Sequence, residues 1–266
     1  MERGVFDSVD VPASTFLHEW RDDGRKDITL RHLFTMSSGL KPLSPKGGMA
    51  SAAVRFFTDG PAARSTLLGR PLLRQPGTHF SYSNADSQTV GLMLERATGR
   101  PYQDLLSEYL WKPIGADDAH VWLNEPDGFP RTFTPLLARP RDWLRVGLLI
   151  KDSGKFLGEQ VIDEQLVVAM IAPSSTEMGY GWQIWRGADR VPTRYYNADR
   201  VGLNVAQSEP FMGNDWVFLD DIGGQRVYIS RAADLVIVRL GQLRRDWDDS
   251  QLPNRVTRAL DNADNR

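Results

Sequence analysis

The chain has 266 residues, 41% of them hydrophobic and 25% charged, proportions typical of a globular domain. Its formal net charge of −2 gives no basic footprint for nucleic acid, and no apolar run approaches the ~20 residues of a membrane-spanning helix. The absence of cysteine excludes disulfides, a thiolate nucleophile and cysteine metal ligands. The length suits one large domain or two intimately joined ones, and we expect a single domain over residues 1–266, with no nucleic-acid partner and no membrane segment.

The first part of the chain, approximately residues 28–175, is predicted to be mainly helical. Thr29 suits an N-cap, and Leu30, Leu33 and Phe34 follow it on one helical face. Four further segments have apolar residues at helical spacing, three of them delimited by glycine or proline: 86–98 before Gly99, 102–110 after Pro101, 140–150 from Pro140, and 163–171.

The second part, approximately residues 176–266, is predicted to contain the sheet and a C-terminal helix near 253–262. Tyr180–Trp185 is predicted to be a strand, and Arg226–Ser230 a strand with one exposed face. Leu235–Leu240 is nearly all apolar and β-branched, which predicts a strand covered on both faces. Helices followed by consecutive strands indicate the α+β class, with an antiparallel sheet flanked by helices.

One segment matches S-x-x-K, the spacing that places a serine hydroxyl and a lysine amine on the same face of a helix. It runs from Ser38 to Lys41, and in a helix such a lysine can accept the serine proton. Here Gly39 follows the serine and Pro42 follows the lysine, so the segment is predicted to be a helix end running into a loop. A loop would not hold the pair in register, and we do not expect Ser38 to be a nucleophile.

A short polar turn before a predicted helix contains Tyr82 and Asn84. A tyrosine presented there could transfer protons if neighbouring cations lowered its pKa. The asparagine offers both a donor and an acceptor for a substrate amide. The alternative is a capping turn with a packed tyrosine. The four histidines show no metal-binding spacing, so neither a metal nor an organic cofactor is predicted.

Six segments of the chain have a recognisable pattern. They are Asp27–Leu40 (DITLRHLFTMSSGL), Phe80–Gly99 with its tyrosine-x-asparagine motif, Leu110–Ala119, Thr134–Leu149, Tyr180–Trp185, and the glycine-rich Asp221–Ile229. In this order they resemble segments of the β-lactamase-related serine hydrolases, the penicillin-binding-protein and class C β-lactamase-like family. The branch that contains the 6-aminohexanoate-dimer hydrolases and related esterases is the most similar.

This resemblance implies a reaction and a set of roles. In the family a serine is acylated by a small-molecule amide, lactam, peptide or ester, and water then releases the acyl group. Tyr82 would be the general base or acid beside that serine, and Asn84 would orient the substrate. The third motif would supply the substrate-binding residues Ile222, Gly223, Gly224 and Gln225, and its strand Gly223–Gln225 would flank the acyl group and contribute to an oxyanion site. Tyr82 and Asn84 are therefore expected to line the same cleft as Gly223 and Gly224. No lysine or histidine lies near Ile222, which argues against a β-lactam specialist.

The resemblance also implies that the catalytic serine and lysine lie upstream of Met1. In the family the S-x-x-K helix precedes the segment equivalent to Asp27–Leu40 by more residues than the 26 that precede Asp27 here. In addition, Glu2–Trp20 already resembles the family segment that follows that helix. We therefore expect this chain to be truncated and inactive. The alternative is a non-catalytic protein that binds ligands in the remnant cleft. Because the family's last strand also pairs with an N-terminal strand, Leu235–Leu240 is expected to be an exposed or abnormally paired sheet edge through which chains associate.

Overall fold

A computed structural model of the protein describes residues 1, 4–43, 56, 60–123, 128–133, 136–187 and 193–264. The chain divides into two compact units, Met1–Lys112 with Asp118–Leu137, and Pro113–Asp117 with Ala138–Arg266. Glu2 and Thr134, each of which begins a segment similar to the hydrolase family, lie outside the described residues. None of the described helices is long and apolar enough to cross a membrane.

The first unit is mainly helical. Three short 3-10 turns (Ala13–Thr15, His18–Trp20, Gly24–Asp27) precede the helices α1 (Leu30–Phe34), α2 (Gly60–Leu68), α3 (Asn84–Thr98) and α4 (Tyr102–Leu106), and α4 continues into a π-helical turn at Ser107–Trp111. Strands β1 (His120–Val121) and β2 (Leu136–Leu137) form an antiparallel pair. The buried core includes Leu17, Trp20, Leu30, Leu33, Leu67, Leu92 and Met93.

The ends of two helices in this unit follow the predicted local rules. Thr29 accepts a hydrogen bond from the backbone of His32, whose side chain accepts one from the Thr29 backbone, and this reciprocal capping box confirms the predicted start of α1. Gly99 has a φ of 66° and ends α3 in the left-handed region, as predicted. Pro101 is the residue before α4, and its fixed φ suits that position.

The second unit contains the main sheet. Its helices are α5 (Pro140–Lys151), α6 (Glu164–Ile171) and α7 (Gln251–Asp264). Its strands are β3 (Lys155–Phe156), β4 (Glu159–Gln160), β5 (Trp185–Arg186), β6 (Thr193–Tyr195), β7 (Asn204–Ala206), β8 (Val217–Asp221), β9 (Gln225–Ser230) and β10 (Leu235–Arg239). Four strands form an antiparallel sheet in the order β10-β9-β8-β5. The α+β class with an antiparallel sheet and flanking helices is confirmed.

Helix α5 packs on this sheet, although the sequence assigned it to the helical part of the chain. A Cβ added to Gly147 of α5 would lie 2.5 Å from Val236 and 3.0 Å from Val227, so the helix backbone lies close against β9 and β10. The compact units meet at Leu137 and Ala138, and the predicted division near residue 175 into a mainly helical part and a sheet part stays a prediction. Amphipathic periodicity identifies a helix and its buried face, but it does not identify the element against which that face packs.

The prediction of a strand at Tyr180–Trp185 is wrong for most of the segment. Tyr180 and Trp185 form an isolated bridge that closes a tight turn, in which the Gly181 N–H donates to the Ile184 carbonyl. Gln183 has a φ of 56°, which an extended strand cannot accommodate. Alternating aromatic and aliphatic residues here pack around a turn rather than along a strand.

Strand β9 is buried on both faces, contrary to the prediction that one face is exposed. Arg226, Tyr228 and Ser230 are all 2% exposed or less. Tyr228 accepts a hydrogen bond from the Trp247 indole at 3.2 Å, and Ser230 donates to Asp215 at 2.7 Å. Polar residues on this face are therefore paired inside the unit, which periodicity alone does not reveal.

Strand β10 is the last strand of the described sheet. Among the described residues it pairs with β9 and with no other strand. All five of its residues are half-buried, so the prediction that both faces are covered is wrong. The described part of the chain thus shows β10 at a sheet edge, where its outer backbone groups have no strand partner.

Candidate active site

Tyr82 and Asn84 flank the N-cap of α3. Ser83, between them, has an extended backbone, and its hydroxyl accepts a hydrogen bond from the Asp86 N–H at 3.3 Å. The helix begins at Asn84, slightly earlier than the predicted start near Asp86. Tyr82 is half-buried and Asn84 is exposed. The turn therefore presents a phenol and a carboxamide at the positive end of a 15-residue helix.

Met36 supports this turn from the preceding loop. Its carbonyl accepts a hydrogen bond from the Ser81 N–H at 2.8 Å, and its sulfur lies 3.4 Å from the Ser83 nitrogen. Met36 is 1% exposed and has a φ of 53°, in the left-handed region that is unfavourable for a residue with a side chain. Strained backbone of this kind clusters at functional sites.

Arg70 lies buried directly behind the turn. Its guanidinium donates to Asp86 at 3.0 Å, to the Ser83 hydroxyl at 3.4 Å and to the Thr89 hydroxyl at 3.4 Å. The Arg70 and Asp86 side chains are 2% and 1% exposed. Burial lowers the pKa of the Arg70 guanidinium, and the neighbouring Asp86 carboxylate opposes that shift. This ion pair ties the N-cap to the first turns of α3.

A second segment docks on α3 beside the same turn. The Gln88 carboxamide donates to the Pro130 carbonyl at 2.7 Å and accepts from the Thr132 N–H at 3.0 Å. The Thr132 hydroxyl donates to the Ser87 carbonyl at 3.0 Å. Gly91 makes the approach possible, because a Cβ there would lie 2.4 Å from the Thr132 methyl. The segment 129–133 is thereby fixed to the helix that carries Asn84.

Ser38 lies in a loop, four residues after the end of α1 at Phe34. It is 4% exposed, and its hydroxyl accepts a hydrogen bond from the Leu40 N–H at 3.3 Å. Gly39 has a φ of 73°, which interrupts any helical register between Ser38 and Lys41. The geometry needed for a serine–lysine pair on one helix face is therefore absent at this described segment.

The third motif forms a turn in the second unit. Ile222–Gly224 connects β8 to β9, and Gly223 and Gly224 have φ values of 72° and 82°. The predicted strand at Gly223–Gln225 is therefore wrong for its glycines, because the strand begins at Gln225. A Cβ at Gly223 would lie 2.5 Å from Leu243, and one at Gly224 would lie 2.6 Å from Trp247. Both positions require glycine.

Hydrogen bonds hold this turn closely. The Gly223 carbonyl accepts from the Arg239 guanidinium at 3.0 Å and from the Arg244 N–H at 2.9 Å. The Gln225 carboxamide donates to the Gly241 carbonyl and accepts from the Gly241 N–H. Ile222 is 75% exposed at the tip. The Gln225 side chain thus fixes the turn to the segment at Gly241, and Ile222 is the exposed residue of the motif.

A buried network of four charges lies at the base of the turn. Arg194 and Arg226 each bond Asp249, Arg194 also bonds Asp220 at 2.8 Å, and all four side chains are 8% exposed or less. Arg226 further donates to the Asp221 carbonyl at 2.8 Å. Burial lowers the pKa of the Arg194 guanidinium, but the Asp249 and Asp220 carboxylates outweigh it and hold that pKa above its ordinary value.

The predicted site residues fall into two groups. Tyr82 and Asn84 belong to the first unit, and Ile222–Gln225 belongs to the second. Their convergence on one cleft stays a prediction. The supporting residues Met36, Arg70 and Gln88 were not predicted, because their partners are distant in sequence and no motif marks them. Among the described residues, no group of three or more histidine, aspartate and glutamate side chains is placed to bind a metal ion.

Comparison with known proteins identifies the family. A family model described as Beta-lactamase matches residues 2–260. The 6-aminohexanoate-dimer hydrolase of Paenarthrobacter ureafaciens is 32% identical over 129 residues, which are 48% of this chain and 33% of that protein. Esterase EstB of Burkholderia gladioli is 28% identical over 156 residues, 53% of this chain and 40% of that protein. These alignments span well under half of each relative.

Solved structures show the same fold. A Bacillus anthracis protein provisionally named 6-aminohexanoate-dimer hydrolase has a TM-score of 0.74 at 20% identity, over 99% of this chain and 68% of that one. A penicillin-binding protein from Bacillus halodurans has a TM-score of 0.59 at 14% identity, over 98% of this chain and 80% of that one. The family model covers nearly the whole sequence, and the chain therefore belongs to the Beta-lactamase family.

Proposed function

We propose that the protein takes part in the hydrolysis of a small-molecule amide or ester through an acyl-enzyme. The observation that carries the proposal is the turn Tyr82–Ser83–Asn84, which is held at the N-terminus of α3 by Met36 and the buried Arg70. The names of two relatives, a 6-aminohexanoate-dimer hydrolase and an esterase, support the amide or ester class.

The proposed roles depend on the chemistry of each group. The Tyr82 phenol transfers a proton between the nucleophile and the leaving group. The Asn84 carboxamide holds the substrate amide or ester carbonyl region with a donor and an acceptor. The turn Ile222–Gly224, whose conformation is fixed by Arg239 and Gln225, flanks the acyl group and contributes to the site of the acyl oxygen.

We further propose that these 266 residues do not form an acyl-enzyme by themselves. The sequence contains one S-x-x-K, at Ser38–Lys41, and Ser38 is buried in a loop. The second candidate function is a non-catalytic protein that binds amides or esters in the cleft. The same observation favours it, since binding by Asn84 needs no nucleophile.

Covalent labelling tests this part of the proposal. The chain is incubated with a fluorophosphonate and, separately, with benzylpenicillin, and adducts are sought by intact mass. We expect no stoichiometric adduct, whereas a serine esterase of the family labelled in parallel should gain one probe. An adduct that disappears in Ser38→Ala would show that Ser38 is the nucleophile and would overturn the proposal.

A binding measurement tests the role of Asn84 independently of acyl-enzyme formation. Ligand-observed NMR with butyramide and with benzylpenicillin should show that both bind weakly to the chain. The Asn84→Ala variant should bind them less tightly. The control variant Asp104→Asn, which changes an exposed residue of α4, should bind them like the parent chain. Equal binding to all three proteins would contradict the role of Asn84.

Self-association through the edge of β10 is a further part of the proposal. The strand Leu235–Arg239 has four apolar residues and ends in one arginine, so the charges and prolines that usually protect an edge are sparse. Backbone groups on its outer side can pair with the same strand of a second chain.

A further inference from the structure

The first unit contains a cavity of about 300 Å³ whose position is separate from the Tyr82 turn in sequence and in lining residues. It lies between α4 with its π-helical turn and the β1–β2 pair, and Gln103, Ser107, Trp111, Asp118, His120 and Leu136 are among the residues that line it. The volume is at the lower end of the range for small-molecule sites, about 300–1,000 Å³.

The wall of the cavity formed by the helix has an unusual conformation. The Lys112 N–H donates to the Ser107 carbonyl at 2.9 Å, five residues back, so the helix widens by one residue through Ser107–Trp111. Isolated π-helical turns occur frequently at functional sites. Gln103, Ser107 and the buried Trp111, which are spaced by four residues, line the same wall of the cavity.

The polar groups of the lining favour a cation. The titratable residues in the described lining are Asp118 and His120, and none of the described lining residues is a lysine or an arginine. Asp118 supplies a carboxylate and Ser107 a hydroxyl oxygen. The carboxamide oxygen of Gln103 is withdrawn from solvent and accepts no hydrogen bond from any residue that the structure describes. A buried acceptor without a donor is uncommon, and Gln103, which carries this one, lines the cavity.

Apolar residues of the lining lie beside the Asp118 carboxylate and the other polar groups. Trp111 contributes an indole, a ring type whose face attracts cations, and Leu136 contributes apolar surface for the body of a ligand. We propose that this cavity binds a small organic ammonium ion with an apolar body of roughly six to eight heavy atoms. The ammonium group meets Asp118 and the acceptors Gln103 and Ser107, and the apolar body meets Trp111 and Leu136. This second ligand site lies outside the proposed acyl site.

Three ligands of nearly equal size test the proposal on the full chain at pH 7.5 by NMR titration and calorimetry. Benzylamine is protonated, benzyl alcohol keeps a donor without the charge, and benzoate carries the opposite charge. We expect benzylamine to bind with a Kd on the order of 0.1–1 mM, benzyl alcohol to bind about tenfold more weakly, and benzoate not to bind at about 10 mM.

Two variants assign the contacts. Asp118→Asn should weaken benzylamine binding about three- to tenfold and leave benzyl alcohol unchanged, whereas Gln103→Met should weaken both ligands about tenfold. Asp118 is exposed, so the Asp118→Asn variant is expected to fold. Asp104→Asn is the matched control, because Asp104 lies on the same helix as Gln103 but is not among the residues that line the cavity. The proposal is overturned if benzoate binds as tightly as benzylamine, if no ligand binds at about 10 mM, or if both variants bind benzylamine like the parent chain.

Discussion

At the scale of single residues, the positions of the motif residues could be predicted from the sequence. The buried residues that hold the motif segments in place could not. Tyr82 and Asn84 stand in a recognisable polar turn before a helix. Arg70, in contrast, is 16 residues from Asp86, and Arg194 is 55 residues from Asp249. A buried arginine has the same sequence signature as a surface arginine, so burial and pairing become visible only in the folded structure.

The Arg70–Asp86 pair yields a prediction about stability. Asp86→Asn leaves the Arg70 charge buried without its partner, and the free energy of unfolding should fall by about 3–5 kcal/mol. The matched control is Asp10→Asn, which removes the partner of Arg31 in an ion pair whose side chains are 44% and 60% exposed. That change should cost at most about 1 kcal/mol. Urea unfolding measures both, and equal losses would contradict the assignment of Arg70 and Asp86 as a buried pair.

The Glu19–Arg96 ion pair yields a prediction about pH. The side-chain hydrogen bond from Arg96 lowers the pKa of Glu19 from 4.5 to about 2. A lowered carboxyl pKa means that the stabilisation is present above about pH 4.5 and is lost as the pH falls toward 2. Because the Glu19 side chain is 45% exposed, solvent screening limits the contribution to about 1 kcal/mol or less. NMR titration of the Glu19 carboxyl in the parent chain and in Arg96→Gln measures the shift, and a midpoint near 4.5 in both would refute it.

At the scale of elements, local sequence rules predicted where helices begin and end better than they predicted which elements pack together. The N-cap at Thr29 and the helix end at Gly99 were predicted because each depends on a few adjacent residues. The π-helical turn at Ser107–Trp111 was predicted as ordinary helix, because its apolar residues have normal helical spacing. The tight turn at Tyr180–Trp185 was predicted as a strand for a similar reason. In both cases tertiary packing decides the backbone conformation.

Gly91 tests how the segment 129–133 docks on α3. Gly91→Ala gains helix propensity of up to about 1 kcal/mol, but the added Cβ would lie 2.4 Å from the Thr132 methyl. We expect a net loss of about 1–3 kcal/mol in the free energy of unfolding. Thr132→Ala removes that methyl, so the double variant should be less destabilised than the sum of the two single variants. Additive losses would show that the close approach of Thr132 to Gly91 is not what requires glycine.

At the scale of the whole molecule, the fold class was predicted and the packing of its parts was not. Helices followed by strands indicated an antiparallel α+β protein, which the sheet order β10-β9-β8-β5 confirms. The close packing of α5 on β9 and β10 depends on Gly147, and no periodic pattern predicts which sheet a helix covers. The chain also spans 33% and 40% of the two curated relatives, the dimer hydrolase and the esterase, so the activity of a whole protein stays a proposal.

The edge of β10 yields a prediction about assembly. If chains associate through this strand, Ile237→Lys should shift the protein toward monomer, because a lysine on an edge strand opposes further pairing. Leu157→Lys, at a 91% exposed position outside the sheet, is the control and should leave the assembly unchanged. Light scattering coupled to size-exclusion chromatography over a range of concentrations measures the mass. A parent chain that is monomeric throughout would refute association through this edge.

The proposed roles require the Tyr82–Asn84 turn and the Ile222–Gly224 turn to act on the same acyl group. Since the chain has no cysteine, the variant with Asn84→Cys and Ile222→Cys carries two unique thiols at exposed positions. A bis-maleimide that spans roughly one pocket's width, about 10–15 Å, should join them within one chain. Each single variant serves as a control for links between chains. Intact mass and peptide mapping should show an intramolecular link in most molecules, whereas separate modification of both thiols without a link would contradict the claim.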